Sequence, residues 1–146
     1  MEFRGEVGGF SELAEALRAR MVELQAVTRE ATGLAAHVVE RHAKDLLRQS
    51  SHRKGTPTPS RPGQPPSAVT GALMRSIAVD GPSGIAGTYR SRVGPTVIYG
   101  RIQEVGGMAG RHNAARLPAR PYLAPALDKS RDEVAALFYR AWRGVL

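Results

Sequence analysis

Apolar and small residues fall at Phe10, Leu13, Leu17, Leu24, Val27, Ala31, Leu34 and Val38, a three-four alternation that draws one stripe along a helix. Ser11 stands where an N-cap belongs. Glu12 and Glu15 follow in the first turn, and Lys44 and Arg48 suit the far end of the dipole, so a helical segment is expected over residues 10–49. As one helix it would span roughly 60 Å, more than a small domain can cover. Arg20 and Arg41 occupy positions where the stripe should continue, and Gly33 costs about 1 kcal/mol relative to Ala inside a helix. Two outcomes fit: a helix pair broken near Thr32-Gly33, or one long helix whose stripe a neighbouring subunit covers.

Residues 50–67 contain five prolines and no large apolar residue, which predicts a Pro/Arg-rich loop that cannot fold alone. Apolar segments then return between turn signals. Thr70-Gly71 opens a turn or short helix, Leu73 to Asp80 runs to Gly81-Pro82, Ile85 to Val93 runs to Gly94-Pro95, and Thr96 to Gln103 is β-branched and aromatic. Residues 68–104 are therefore expected to form a small antiparallel meander of three to four strands. Residues 105–120, with Gly106-Gly107, Gly110, Arg111 and Arg116, read as an exposed, mobile basic loop.

Pro118 and Pro121 hold their predecessors extended, and Pro125 fits a first helical turn, so residues 121–144 read as a docking arm that becomes the last helix. Leu127, Val134, Leu137, Phe138, Ala141 and Trp142 form that helix's apolar face, which is expected to cover the sheet. The fold class is α+β in a single domain over residues 1–146. Tyr99, Tyr122, Leu123, Phe138 and Trp142 are the expected core or interface anchors.

Charge divides unevenly along the chain. The net +8 is made of −1 over residues 1–50, +8 over 51–120 and +1 over 121–146. Arg53, Lys54, Arg61, Arg111, Arg116 and Arg120 are the expected contacts to DNA phosphate or to an acidic protein surface, since basic residues on loops neutralise such charge without reading sequence. Few aromatics accompany them, which disfavours base stacking. Zero Cys excludes disulfides and thiol chemistry, and the absence of a long apolar run predicts neither signal peptide nor membrane span.

No catalytic arrangement emerges. His37 and His42 are five apart, off the i, i+4 spacing of a helical metal pair, and Gly81-Pro-Ser-Gly84 lacks the Lys-Ser/Thr of a phosphate loop. The expectation is a non-enzyme with no cofactor and no metal.

Four spaced pieces carry a resemblance: Thr70-Gly71-x-Leu73-x-x-Ser76-Ile77, Val93-Gly94, Ile98-Tyr99 with Glu104-Val105-Gly106, and Pro118-Ala119-Arg120-Pro121-Tyr122-Leu123-x-Pro125-Ala126-Leu127. Together they resemble the gene-product-ten-like tail-component family of long-tailed double-stranded DNA phages. Gly100 and Gly107 depart from that pattern, as does the 51–64 segment. The resemblance implies a structural virion protein of the neck, assembled in the host cytoplasm into a ring, a hexamer or dodecamer, that joins head connector to tail and lets DNA pass. Its implied partners are other copies of the chain, the head connector or adaptor, tail-tube or tail-terminator proteins, and genomic DNA held non-specifically, with no membrane. A non-specific or regulatory nucleic-acid-binding protein is the alternative.

Overall fold

A computed structural model describes residues 9–55 and 60–146; the lead up to Gly8 and the 56–59 part of the Pro/Arg-rich loop lie outside the described residues. The fold is α+β: a long N-terminal helix, two small antiparallel hairpins and a C-terminal helix. The first helix, α1 (Phe10–Arg48), runs 39 residues without a break. Gly33 does not bend it. A Cβ there would lie 3.2 Å from Cδ of Pro82, so the missing side chain lets the irregular middle of a strand approach the helix. The expected Ser11 cap is also corrected, because helical geometry already begins at Phe10 with Gly9 at the N-cap.

After α1 the chain leaves and returns through a pinned loop. Ser51 and Ala68 form a parallel bridge, the Ser50 and Ser67 hydroxyls lie 2.8 Å apart, and His52 N donates to Ala68 O at 3.0 Å. A single turn, α2 (Ala72–Arg75), then feeds β1 (Ile77–Ile85), as Thr70-Gly71 suggested. β1 pairs with β2 (Thr88–Pro95) in the register Ile77 to Pro95 and Val79 to Val93, with an irregularity between Asp80 and Ser83. Ala86 and Gly87 both take positive φ at the turn, the twist that a tight hairpin requires.

The meander stops there. Residues 96–103, expected as a third strand, instead turn into α3 (Gly100–Val105), and Ile98 and Tyr99 face solvent. Thr96 N donates to Ser76 O, which ends the pairing, and β-branched propensity over three residues is too weak to outweigh the contacts that α3 makes with the chain beyond it. Within the stretch 105–120 expected as a mobile loop, residues 107–117 are a second hairpin: β3 (Gly107–Ala109) pairs with β4 (Ala115–Leu117) across a turn at Arg111–Asn113. Among the described residues, four strands form two separate two-stranded sheets.

The last helix, α4 (Leu123–Arg143), runs antiparallel along α1. Its start shares a buried cluster with Ala43, Leu46 and Leu47, its middle places Glu133 against Arg41 at 2.6 Å, and near its end the Trp142 indole donates to Thr28 Oγ1 at 2.9 Å. The same buried cluster takes in Ile77, with Val93 packed against it, so the first turn of α4 packs on the β1–β2 sheet and the rest packs on α1. No helix among the described residues is long and apolar enough to cross a membrane.

Tyr122 is fully buried at the centre of this cluster, as expected, and Leu123 packs half-buried against it. Two of the anchors lie outside this core. Tyr99 is 42 % exposed because the strand that would have turned it inward is absent, and Trp142 is 41 % exposed. Trp142 clamps the helix pair by its indole N–H, and its ring lies 5.5 Å from that of half-buried Phe138 one turn earlier on α4. Tyr122→Ala is expected to lower the unfolding free energy by about 3–5 kcal/mol, as a fully buried aromatic truncation does, and Trp142→Ala by less than about 3 kcal/mol, measured by urea denaturation.

The Glu133 carboxyl is held below the usual carboxylate range by its hydrogen bond to Arg41, with His42 adding to the effect. A lowered folded-state value stabilises the fold above the unfolded value and loses that contribution as pH falls through the folded one. Glu133→Gln should accordingly cost stability at neutral pH and narrow its gap to wild type below about pH 4, in melts taken across the acid range.

Candidate functional site

The arm and α4 are held by a side chain eighteen or more residues upstream. Pro118 and Pro121 keep the arm extended, and α3 lies beside it, so that Arg120 N donates to Gln103 O at 2.7 Å. One turn of helix then carries Glu104 to the start of α4. Its Oε2 accepts from the N–H groups of Tyr122 at 2.7 Å and Leu123 at 2.9 Å, and its Oε1 accepts from Ala124 N at 2.9 Å. A helix start leaves its first N–H groups without partners, and a carboxylate there also meets the positive end of the dipole. Pro125, next in line, has no N–H to satisfy. One carboxylate therefore completes the whole N-terminus of α4, which has no side-chain cap of its own.

Tyr122 ties the same knot from inside. Its hydroxyl donates to Gly100 O at 3.1 Å, and burial, with the Glu104 charge behind it, pushes the phenol pKa up, so the group stays a neutral donor. Gly100 is required by space. A Cβ there would stand 2.3 Å from Cγ of Pro95, which accounts for glycine at this position.

The basic residues expected to contact DNA or a connector divide into two kinds. Arg53, Lys54, Arg61, Arg111 and Arg116 are exposed, the first three on the pinned loop and the last two on the β3–β4 hairpin. Arg120 is half-buried and serves as a tie: its Nε donates to Ser60 O at 3.0 Å, while Gly63 N donates to Ala119 O at 2.9 Å. The 60–64 segment is thereby fastened to the arm. Arg120 is better described as positioning the Arg61 loop than as a free contact of its own.

Compared with models of protein families, with curated proteins and with solved structures, the chain finds no match in any of the three.

The geometry itself brings the four pieces of the resemblance together. Ile77 shares the buried cluster with Tyr122 and Val93 packs on that cluster, Glu104 accepts from Tyr122 N, and the 118–127 piece supplies the arm and the first turn of α4. These residues hold one another. His37 and His42, the other candidates for chemistry, bind carboxylates: His37 Nδ1 lies 2.9 Å from Glu40 and His42 Nε2 lies 3.2 Å from Glu133.

Glu104 was missed as a cap because capping rules look three residues ahead, not eighteen. A signal did exist: it is the sole carboxylate between Asp80 and Asp128 in the basic band. Glu104→Ala leaves three N–H groups without their acceptor and is expected to cost about 2–4 kcal/mol, with Glu104→Gln losing less because one carbonyl oxygen remains. Equal denaturation midpoints for wild type and Glu104→Ala would show that water replaces the carboxylate fully.

Proposed function

We propose that this chain is a structural subunit of the neck of a long-tailed phage, one of a ring of identical copies that joins the head connector to the tail and encloses the passage for DNA. The observation that carries the reading is the convergence of all four resemblance pieces on the Glu104–Tyr122 knot. Residues spread over sixty positions and shared as a spaced pattern are expected to meet in space if the pattern encodes one scaffold. Here every piece has a partner in another piece.

The surface supports the same reading. Five of the six basic residues singled out lie exposed on two projecting segments, the pinned loop and the β3–β4 hairpin, rather than in one concave cleft. Cations so arranged suit sliding, sequence-independent phosphate contact or an acidic connector face. The stripe of α1 between Phe10 and Val22 is bare, with its large apolar residues 56–68 % exposed, as a subunit awaiting neighbours leaves it.

Immunogold labelling of purified particles should place the protein at the head–tail junction; its absence from particles would remove the proposal. Binding to random duplex DNA should weaken steeply with salt, and Arg111→Ala with Arg116→Ala should reduce the slope of log K against log salt by about 2, one per lost phosphate contact. Preference for a defined sequence at physiological salt would instead favour a regulator.

A further inference from the structure

β2 has a partner on one side only. The first sheet holds two strands, so one edge of each is unpaired among the described residues. The two edges differ. β1 carries the irregularity between Asp80 and Ser83 and places Pro82, which has no N–H, inside its run; both features spoil an edge for further pairing. Between the same paired positions β2 inserts Ser91 alone, and it runs from Thr88 to Gly94 without a proline. Its free backbone is the edge on which another strand could pair.

A groove of about 410 Å³ runs beside that edge. Thr32, Ala35 and Val39 of α1 lie on its floor, Ser91 and Val93 of β2 form one side, and α4 forms the other through Leu127. No residue of β1 takes part among the described residues, so the β2 edge that meets the groove is the one turned away from β1. Ser91 Oγ donates to Thr32 O at 3.4 Å, which holds this side against the floor. The lining carries no charged side chain among the described residues. From Thr32 to Val39 the floor rises about 10 Å, the length of roughly three strand residues. Backbone donors and acceptors along one side of an apolar floor suit an occupant that brings both kinds of surface, an extended strand with one apolar face.

Charge selects the strand. Side chains alternate along β2: Ser91 and Val93 turn to the groove, so Arg90 and Arg92 stand on the opposite, exposed face. Arg90 has no ion-pair partner among the described residues, and Arg92 has a loose one, Asp80 at 3.9 Å with side chains 77 % and 82 % exposed. Arg131, one turn beyond Leu127 on the α4 side, is neutralised by Asp128 at 2.9 Å, which leaves the uncompensated charge on β2. Outward residues of an added strand would sit beside Arg90 and Arg92, where carboxylates are attracted and a second copy of the β2 edge, bringing its own arginines, is repelled. We propose that β2 takes up an extended segment of a partner protein as a third strand, with apolar residues over Thr32, Ala35 and Val39 alternating with acidic residues beside Arg90 and Arg92. The site is complete in a single copy of the chain, with or without a ring.

A synthetic eight-residue peptide alternating glutamate and valine is the probe. It should bind the full chain in isothermal titration calorimetry and slow amide hydrogen exchange across Thr88–Val93; no binding, or protection confined to other elements, would overturn the proposal. Methylating every backbone nitrogen of the peptide should abolish binding, and a methylated peptide that binds as well as its parent would rule out strand pairing. Arg90→Glu with Arg92→Glu, at exposed positions, should keep the wild-type melting temperature, weaken the glutamate peptide by about tenfold and favour a peptide alternating lysine and valine. Equal affinity of this variant for both peptides would remove the acidic assignment. Should the double variant melt early, Arg90→Glu alone, clear of the Asp80 pair, should shift the preference in the same direction. Self-association of the chain that the peptide competes away would put a second copy in the groove and overturn the assignment to a foreign strand.

Discussion

Three backbone N–H groups at the start of α4 converge on the two oxygens of Glu104, and the rest of the fold is arranged so that they can. For the carboxylate to arrive there, the chain after β2 must turn into a helix, since an extended 96–103 segment would carry Glu104 away from the arm. For the arm to arrive, its prolines must hold it straight past α3. The alignment places Tyr122 in the only position where its ring enters the buried cluster and its hydroxyl reaches Gly100 O. A charge-assisted cap with three donors is stronger than a local Ser or Asp cap with one, which suits a helix whose first turn must anchor both a sheet and a second helix.

From that anchored start, α4 runs back along α1 and fixes which part of the long helix is covered. Its length, not its composition, decides the boundary: 21 residues laid against 39 leave the first turns of α1 projecting. Paired charges such as Arg41 with Glu133 set the alignment of the two helices, being exposed and individually weak but placed midway along the contact. The groove between α4 and β2 follows from the same anchoring, because the sheet and α4 part after the cluster they share. One local constraint thus yields both a stable body and two unfinished surfaces. The basic residues on the pinned loop and second hairpin are held by that body without entering its core.

Much of this was legible in residue order. The three-four stripe from Phe10 predicted α1, and Pro125 with the Leu127–Trp142 face predicted α4, because helical periodicity is a local property. Gly94-Pro95 marked the end of β2 correctly. The failures share a cause as well. Tyr99 and its β-branched neighbours carried strand propensity that lost to contacts with residues more than fifteen positions away, and Gly33 looked like a hinge until Pro82 was found against it. Arg120, expected as a phosphate or connector contact, also donates from Nε to Ser60 O, a tie across sixty residues that no local pattern encodes.

The sequence by itself determined the two amphipathic helices, the basic band and the place of Tyr122 as an anchor, all of which follow from side-chain chemistry at short spacing. Only the tertiary structure decided that Glu104 caps α4, that Gly100 makes room for Pro95, and that the first hairpin turns at Ala86-Gly87 rather than at Gly81-Pro82. Such features depend on distances between residues far apart in the chain, and those distances exist only once the backbone has been closed around them.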